Sequence, residues 1–315
     1  MTVSVIIPFF NEQTQIPLTI DTVRAVLDST GETYEIIAVD DGSSDGSADL
    51  LKSLAAAQPH MRVLAFSRNF GKEAALCAGL DAAAGDAVIV MDGDLQHPPS
   101  YIPEMLRLWR EGYRVVEGVK AARGRESLMS RLNAALFYKT FARFSGYQLT
   151  NASDFKLLDR RVVNEWKQLG ERETFFRALS SWLGFKRTTF SFEVAPRISG
   201  DSKWSLFQLL KLSVNAITGF SAKPIYGVAI LGGILLLIFL VLGIQTLVHY
   251  FLGQSIAGFT TVILLQLLIG GCVMSGLGLI GIYVGRIFEE VKARPRYIVA
   301  YDSARDESPA SAPHA

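Results

Sequence analysis

Hydrophobic and polar positions along the chain follow two regimes. Through the first third, short apolar runs alternate with longer amphipathic stretches. The runs at 3–7 (VSVII), 35–39 (EIIAV), 63–66 (VLAF) and 87–91 (AVIVM) each stop at a Pro, Asp or Ser. Unbroken apolar runs of this length are what strands buried on both faces produce. Between them, residues 16–28, 47–57, 73–83 and 100–111 carry helical periodicity. Ser43, Ser44 and Asp45 supply capping groups before the second, and Ser100 follows Pro98 and Pro99 at the fourth. The pattern predicts an α/β fold with a parallel sheet covered by helices. Ligands of such sheets bind beyond the carboxyl ends of the strands. Residues 8–12, 40–44, 67–72 and 92–96 should therefore line one edge.

The second regime has no charge. Residues 224–285, 62 in all, contain no Asp, Glu, Lys or Arg. They split into apolar runs at 225–251 and 259–285, joined by 252–258 (LGQSIAG). At 1.5 Å per residue each run reaches about 40 Å, longer than the roughly 30 Å hydrocarbon core of a bilayer. The expectation is a transmembrane helical hairpin; the alternative is a buried helix pair in a soluble protein. Lys203, Lys211 and Lys223 precede the hairpin, and Arg286, Lys292, Arg294 and Arg296 follow it. The positive-inside rule then places both termini in the cytoplasm and the short loop outside. Residues 1–20 hold neither a basic start nor a long apolar run, so no signal peptide is expected. The predicted organisation is a cytoplasmic domain (1–203), an amphipathic juxtamembrane helix (204–223), the hairpin (224–286) and a cytoplasmic tail (287–315) with a disordered end. Gly270, Gly271, Ser275, Gly276 and Gly278 suit close helix–helix contact, within the hairpin or between subunits of a homo-oligomer.

Composition sharpens this picture. Half the residues are hydrophobic, 19% are charged and mean hydropathy is +0.27, against about 25% charged residues in a soluble domain. Lys and Arg number 31 against 30 Asp and Glu, which excludes the basic excess of a nucleic-acid binder. Two distant cysteines, Cys77 and Cys272, exclude a disulfide scaffold or a Cys-rich zinc module.

The strand-end segments carry the candidate chemistry. Asp92 and Asp94 flank Gly93, and two carboxylates so spaced can share one Mg²⁺ or Mn²⁺ that bridges to phosphates; the plain alternative is a solvated turn. Asp40 and Asp41 sit where a carboxylate could accept hydrogen bonds from a base or ribose, while Asp45 reads as turn chemistry alone. Pro8, Phe10 and Glu12 place an aromatic and a carboxylate beside each other, suited to a flat base or to an ordinary strand-to-helix turn. Arg68 and Lys72 offer cations to phosphates, or are surface charges.

Taken together, PFFNE, VDDGSSDGS, SRNFGKEAAL and VMDGDLQHPP, in this order and spacing, resemble the family 2 glycosyltransferases with the GT-A nucleotide-diphospho-sugar fold. Followed by a paired hairpin, the chain looks like a polyprenyl-phosphate glycosyltransferase, similar to bacterial bactoprenol glucosyltransferases and to dolichyl-phosphate mannose synthases. The resemblance covers about residues 1–298. It implies that Pro8, Phe10 and Glu12 contact the nucleotide, with Phe10 replacing the commoner Tyr, and that Asp41 reads the base. It implies further that Asp92 and Asp94 hold the metal and diphosphate, with Gln96 and Lys72 nearby, and that Asp154 in NASDF is the catalytic carboxylate. Arg197 and Lys203, in RISGDSKW, would bind phosphates just before the membrane. Lys120 and Arg131 match basic residues near the acceptor. The QxxRW motif of processive synthases is missing, which disfavours polymerisation.

The implied activity is inverting transfer of one sugar, glucose from UDP-glucose above all, to undecaprenyl phosphate at the cytoplasmic face of the bacterial inner membrane. The lipid-linked sugar would serve cell-surface glycan or lipid modification. GDP-mannose and an aminoarabinose nucleotide remain alternative donors, and a non-catalytic nucleotide-sugar-binding scaffold is the alternative of another class. Similar enzymes suggest a tetramer.

Overall fold

A computed structural model of the protein describes residues 1–120, 152–171, 174–193, 218, 223–253 and 258–306. The described residues form two compact units, one holding a sheet and the other two long helices, and the chain returns to the first unit at Pro295.

The sheet grows from the four apolar runs. β1 (Thr2–Phe9), β2 (Thr33–Asp40), β3 (Met61–Phe66) and β4 (Ala87–Val90) are parallel neighbours in the order β4-β1-β2-β3. Their central side chains, such as Val5, Ile37, Val63 and Ile89, are fully buried. Each gains about 1.5–3 kcal/mol on leaving water, and a one-residue slip would not pair these runs as completely. Helices α1 (Ile16–Thr30), α2 (Ser47–Ala57), α3 (Lys72–Ala82) and α4 (Ile102–Arg110) connect or follow them. On α1 the buried set Ile16, Thr19, Ile20, Val23 and Leu27 marks one helical stripe, and Gly31 ends it in the left-handed conformation. These elements match the sequence expectation to within a few residues.

The sheet is not wholly parallel, and here the expectation is corrected. β5 (Val115–Lys120), β6 (Ala152–Asp159) and β7 (Arg187–Phe192) extend it beyond β4, with β6 antiparallel to both β4 and β5. Because β6 runs the other way, its first residues lie at the edge where β1, β2, β4 and β5 end. Helices α5 (Arg160–Gln168) and α6 (Phe176–Trp182) follow β6. The start of the expected disordered end is ordered instead. β8 (Val299–Asp302) pairs antiparallel with β3, and a short helix, α9 (Ser303–Asp306), follows. Asp302 is the anchor: its carboxylate takes two hydrogen bonds from Arg62, at 3.0 and 2.9 Å. Covering β3 removes an open sheet edge.

In the second unit, α7 (Lys223–Phe251) and α8 (Phe259–Lys292) contain stretches of 27 and 25 residues long and apolar enough to cross a membrane. Their large apolar side chains, such as Leu237 and Phe239, are mostly exposed to the surroundings, as lipid-facing residues must be. Of the small residues singled out above, Gly276 is where the helices meet: a Cβ there would lie 3.0 Å from Val228 Cγ1. A Cβ at Gly270, Gly271 or Gly278 would meet no side chain or other element within 4 Å among the described residues. Arg131, Arg197, Lys203, most of the expected 204–223 helix and residues 307–315 lie outside the described residues.

Candidate active site

The order β4-β1-β2-β3 reverses direction between β1 and β4, and a crevice opens at such a switch point. A cavity of about 300 Å³ lies there, bordered by Pro8, Phe10 and Glu12 after β1, Asp41 after β2, Lys72 opening α3, and Asp92 and Asp94 after β4. Seven of the sequence-predicted residues thus meet in one place.

The strand-end loops are locked to one another by hydrogen bonds. Asn11 adopts the left-handed conformation, with φ of 53°. Its backbone N–H donates to Ser43 Oγ at 2.9 Å, and its side chain accepts from Ser44 N–H at 2.8 Å. This turn presents Phe10, 46% exposed, to the cavity. Asp45 accepts from Ser47 and from Gln13 N–H, the turn role expected of it. Gly42 has φ of 67°, and a Cβ would lie 2.2 Å from the Arg68 carbonyl carbon. Only glycine lets the β2 and β3 loops approach so closely.

Asp41 is buried, and its carboxylate accepts the backbone N–H groups of Phe70, at 2.7 Å, and Gly71, at 2.9 Å. Burial pushes its carboxyl up, against the pull of those two bonds. The residue expected to read the base therefore also shapes the loop beside it.

Asp92 and Asp94 are held from three sides. Gly93 between them packs so tightly that a Cβ would come within 2.6 Å of Phe9 Cε1. Thr19 Oγ1 donates to the Gly93 carbonyl at 2.6 Å. Asp92 N–H donates to His97 Nδ1 at 3.2 Å. His97 is buried and stacks on Phe155, with ring centroids 5.3 Å apart. Burial pushes its imidazole down, so it stays neutral and accepts through Nδ1. Sequence reasoning passed over His97, although it stands next to Gln96 in the same motif. Gln96 N–H donates to Asp94 Oδ1 at 3.1 Å, which tightens the turn.

Alternating charges run from Asp92 and Lys72, which border the cavity, to Asp154 and Arg177 beyond it. Lys72 Nζ lies 2.5 Å from Asp92 Oδ1 and 2.7 Å from Asp154 Oδ2. Asp154, at the start of β6, is also bridged by Arg177 of α6, whose Nε and Nη2 donate at 2.7 and 2.9 Å. Burial alone would raise the Asp154 carboxyl, but Lys72 and Arg177 overcome it and hold it well below the usual carboxylate range. Arg177 was not among the sequence candidates. Its partner stands 23 residues earlier in the chain, and nothing local marks the pairing. Glu12 behaves oppositely: burial first, then the charges of Asp94 and Asp92, push its carboxyl up to about 7. Its Oε2 is buried without a hydrogen-bond partner among the described residues. Lys120, half-buried, closes β5 at the same sheet edge.

The donor set fits a hard divalent cation. Asp92 and Asp94 supply oxygen, and Asp92 Oδ1 makes no well-directed hydrogen bond despite its ion pair. Among the described residues no group of three or more His, Cys, Asp or Glu side chains stands ready to hold a metal ion by itself. A Mg²⁺-type site built on one or two carboxylates plus substrate phosphates needs no such set.

A mixed α/β sheet with a carboxylate pair at its switch point agrees with the GT-A class of glycosyltransferases. The chain belongs to glycosyl transferase family 2, which its residues 4–166 match. It is 39% identical over 302 residues to the uncharacterized glycosyltransferase YkcC of Bacillus subtilis (strain 168), covering 94% of this chain and 92% of that one. It is 35% identical to a prophage bactoprenol glucosyl transferase homolog of Escherichia coli (strain K12), covering 95% and 98%. The SfII prophage-derived bactoprenol glucosyl transferase of Shigella flexneri is 36% identical, covering 95% and 97%. Among solved structures, glucosyl-3-phosphoglycerate synthase from Mycobacterium tuberculosis, in complex with Mn²⁺, UDP and phosphoglyceric acid, shares the fold. Its TM-score is 0.52 at 22% identity, over 69% of this chain and 76% of that one.

Proposed function

We propose that this protein transfers a single sugar, glucose from UDP-glucose, to polyprenyl (undecaprenyl) phosphate at the cytoplasmic face of a bacterial membrane. The observation that carries the reading is the strand-end cavity bordered by Asp92, Asp94 and Lys72, with the Asp154–Arg177 pair joined to it through Lys72, on a chain that also has two membrane-length helices. The names of the bactoprenol glucosyl transferases, alike over nearly the whole chain, support the lipid acceptor and the sugar. The fold neighbour's crystal contains Mn²⁺ and UDP, and both enter here as part of the proposal.

In this mechanism the uracil stacks near Phe10, and the Asp41 turn borders it. Asp92 and Asp94 would hold Mg²⁺ or Mn²⁺, which when bound neutralises charge on the leaving diphosphate. An acceptor phosphate oxygen attacks the anomeric carbon from the face opposite UDP. The C–O bond to the β-phosphate breaks, its electron pair leaves with UDP, and the anomeric configuration inverts. A phosphate monoester has its second pKa near about 6, so the acceptor is already mostly dianionic at pH 7. It needs no general base. Asp154, held ionised by two cations, is a poor one; it positions Lys72 and Arg177 instead. Those two, with Lys120, Arg131, Arg197 and Lys203, are the counter-charges that let two anions approach. Two spans, cytoplasmic termini and a homo-oligomer complete the proposal.

The test is a donor screen. Full-length protein in detergent, with undecaprenyl phosphate and Mg²⁺ or Mn²⁺, receives UDP-glucose, UDP-galactose, UDP-GlcNAc and GDP-mannose separately, and glycolipid is followed by mass spectrometry. Product from UDP-glucose, reduced at least about 100-fold in Asp94→Asn, is the expected result. Product from another donor alone would replace the sugar; UDP binding without any product would turn the reading toward a scaffold.

A further inference from the structure

Lys72 makes an unequal bargain with its two carboxylates. Asp154 has a second cation, Arg177, with two hydrogen bonds of its own. Among the described residues Asp92 has no such replacement at hand: its other close basic group there is His97 Nδ1, 3.9 Å from Oδ2, which already accepts the Asp92 N–H. The stem of Lys72 leaves the first turn of α3, and its side chain is 41% exposed, so it has room to swing across the cavity. Arg177 is fixed from behind. Lys156, wholly buried, donates to Ser180 Oγ at 2.7 Å and to the Arg177 carbonyl at 3.4 Å, and pairs with Glu117 at 3.2 Å. α6 is thereby tied to β5 and β6.

We propose that Lys72 is the standing counter-cation of this site: it neutralises Asp92 when no divalent cation is bound, and yields Asp92 when Mg²⁺ or Mn²⁺ arrives with a diphosphate. The inference rests on the metal reading of Asp92 and Asp94 given above. An ammonium and a divalent cation cannot share one carboxylate oxygen without strong repulsion at contact distance. One must leave, and the ammonium can, because Arg177 keeps Asp154 paired while Lys72 turns to the incoming diphosphate. Lys72 is then a competitor of the metal in the free enzyme and a partner of the nucleotide in the loaded one. Arg177 is a positioning residue that makes the exchange possible.

The experiment is Mn²⁺ titration of the full-length protein in detergent, with free Mn²⁺ read by electron paramagnetic resonance, with and without UDP. Lys72→Met should bind Mn²⁺ about tenfold more tightly than wild type when UDP is absent, because a unit positive charge has been removed beside the ligand. With UDP present the order should reverse, since the variant has lost a cation for the diphosphate. Lys72→Arg, which keeps the charge, should not show the gain, and Lys72→Gln should repeat it should the Met variant fold poorly. Unchanged or weaker Mn²⁺ binding by Lys72→Met and Lys72→Gln without UDP overturns the proposal, leaving a permanent ion pair. If wild type takes up no Mn²⁺ even with UDP, the metal reading itself fails and this inference falls with it.

Discussion

Asp154 is held by two cations through both of its oxygens, and this pairing limits what it can do. A carboxylate so stabilised gives up its charge only well into acid, so it orients its neighbours rather than taking protons. Arg177→Ala should therefore lower kcat about tenfold or more, with a smaller change in the KM for the nucleotide sugar, because Asp154 and Lys72 lose their register. Arg177→Lys should recover only part of the loss, since an ammonium cannot reproduce the two-pronged contact. Steady-state kinetics on both variants checks this. Gly42→Ala is a second test at this scale. A Cβ has no place beside Arg68, so the β2 and β3 loops must part. UDP binding should weaken, and stability should fall by about 1–3 kcal/mol.

Elements depend on charges buried where they meet. Glu73, in the first turn of α3, accepts the Phe176 N–H at 2.8 Å and so ties α3 to the start of α6. Burial first, then the charge of Asp154, push its carboxyl up to about 7, against that hydrogen bond and the pull of Lys72 and Arg177. Its folded pKa lies above the unfolded value. The associated stability is fully present below about pH 4.5 and is lost as pH rises through about 7. Melting temperature should fall across that window, and Glu73→Gln should flatten the slope. At the other edge of the sheet, Asp302 clamps β8 onto β3 through Arg62. Asp302→Ala should cost about 1.5–3 kcal/mol, seen as a lowered melting temperature in detergent. Strands β1 to β4 were legible because doubly buried strands read as plain apolar runs. β5 and β6 were not, because each carries a buried charge, Glu117 and Lys156, that looks like a surface residue until its partner is known. β8 escaped notice because its last residue, Asp302, opens the polar end of the chain and looks like a surface residue until Arg62 is known.

For the whole molecule, the proposed topology makes a direct prediction. A cysteine placed at Leu252, in the link between α7 and α8, should react with a membrane-impermeant thiol reagent added outside the cells, and one placed at the exposed Ser53 of α2 should react only after the cells are opened. The opposite labelling would invert the orientation. The sequence by itself determined the two membrane-length helices, the parallel half of the sheet and the strand-end position of the cavity. Burial in lipid or between helices acts on each segment separately and leaves its mark in local composition. Tertiary structure alone decided that Asp92, Lys72, Asp154 and Arg177 form one chain of charges, and that His97 steadies it from below. Electrostatic pairing depends on distances of a few ångströms in space, and residues 82 positions apart in the chain, such as Lys72 and Asp154, acquire such a distance only when the sheet closes around them.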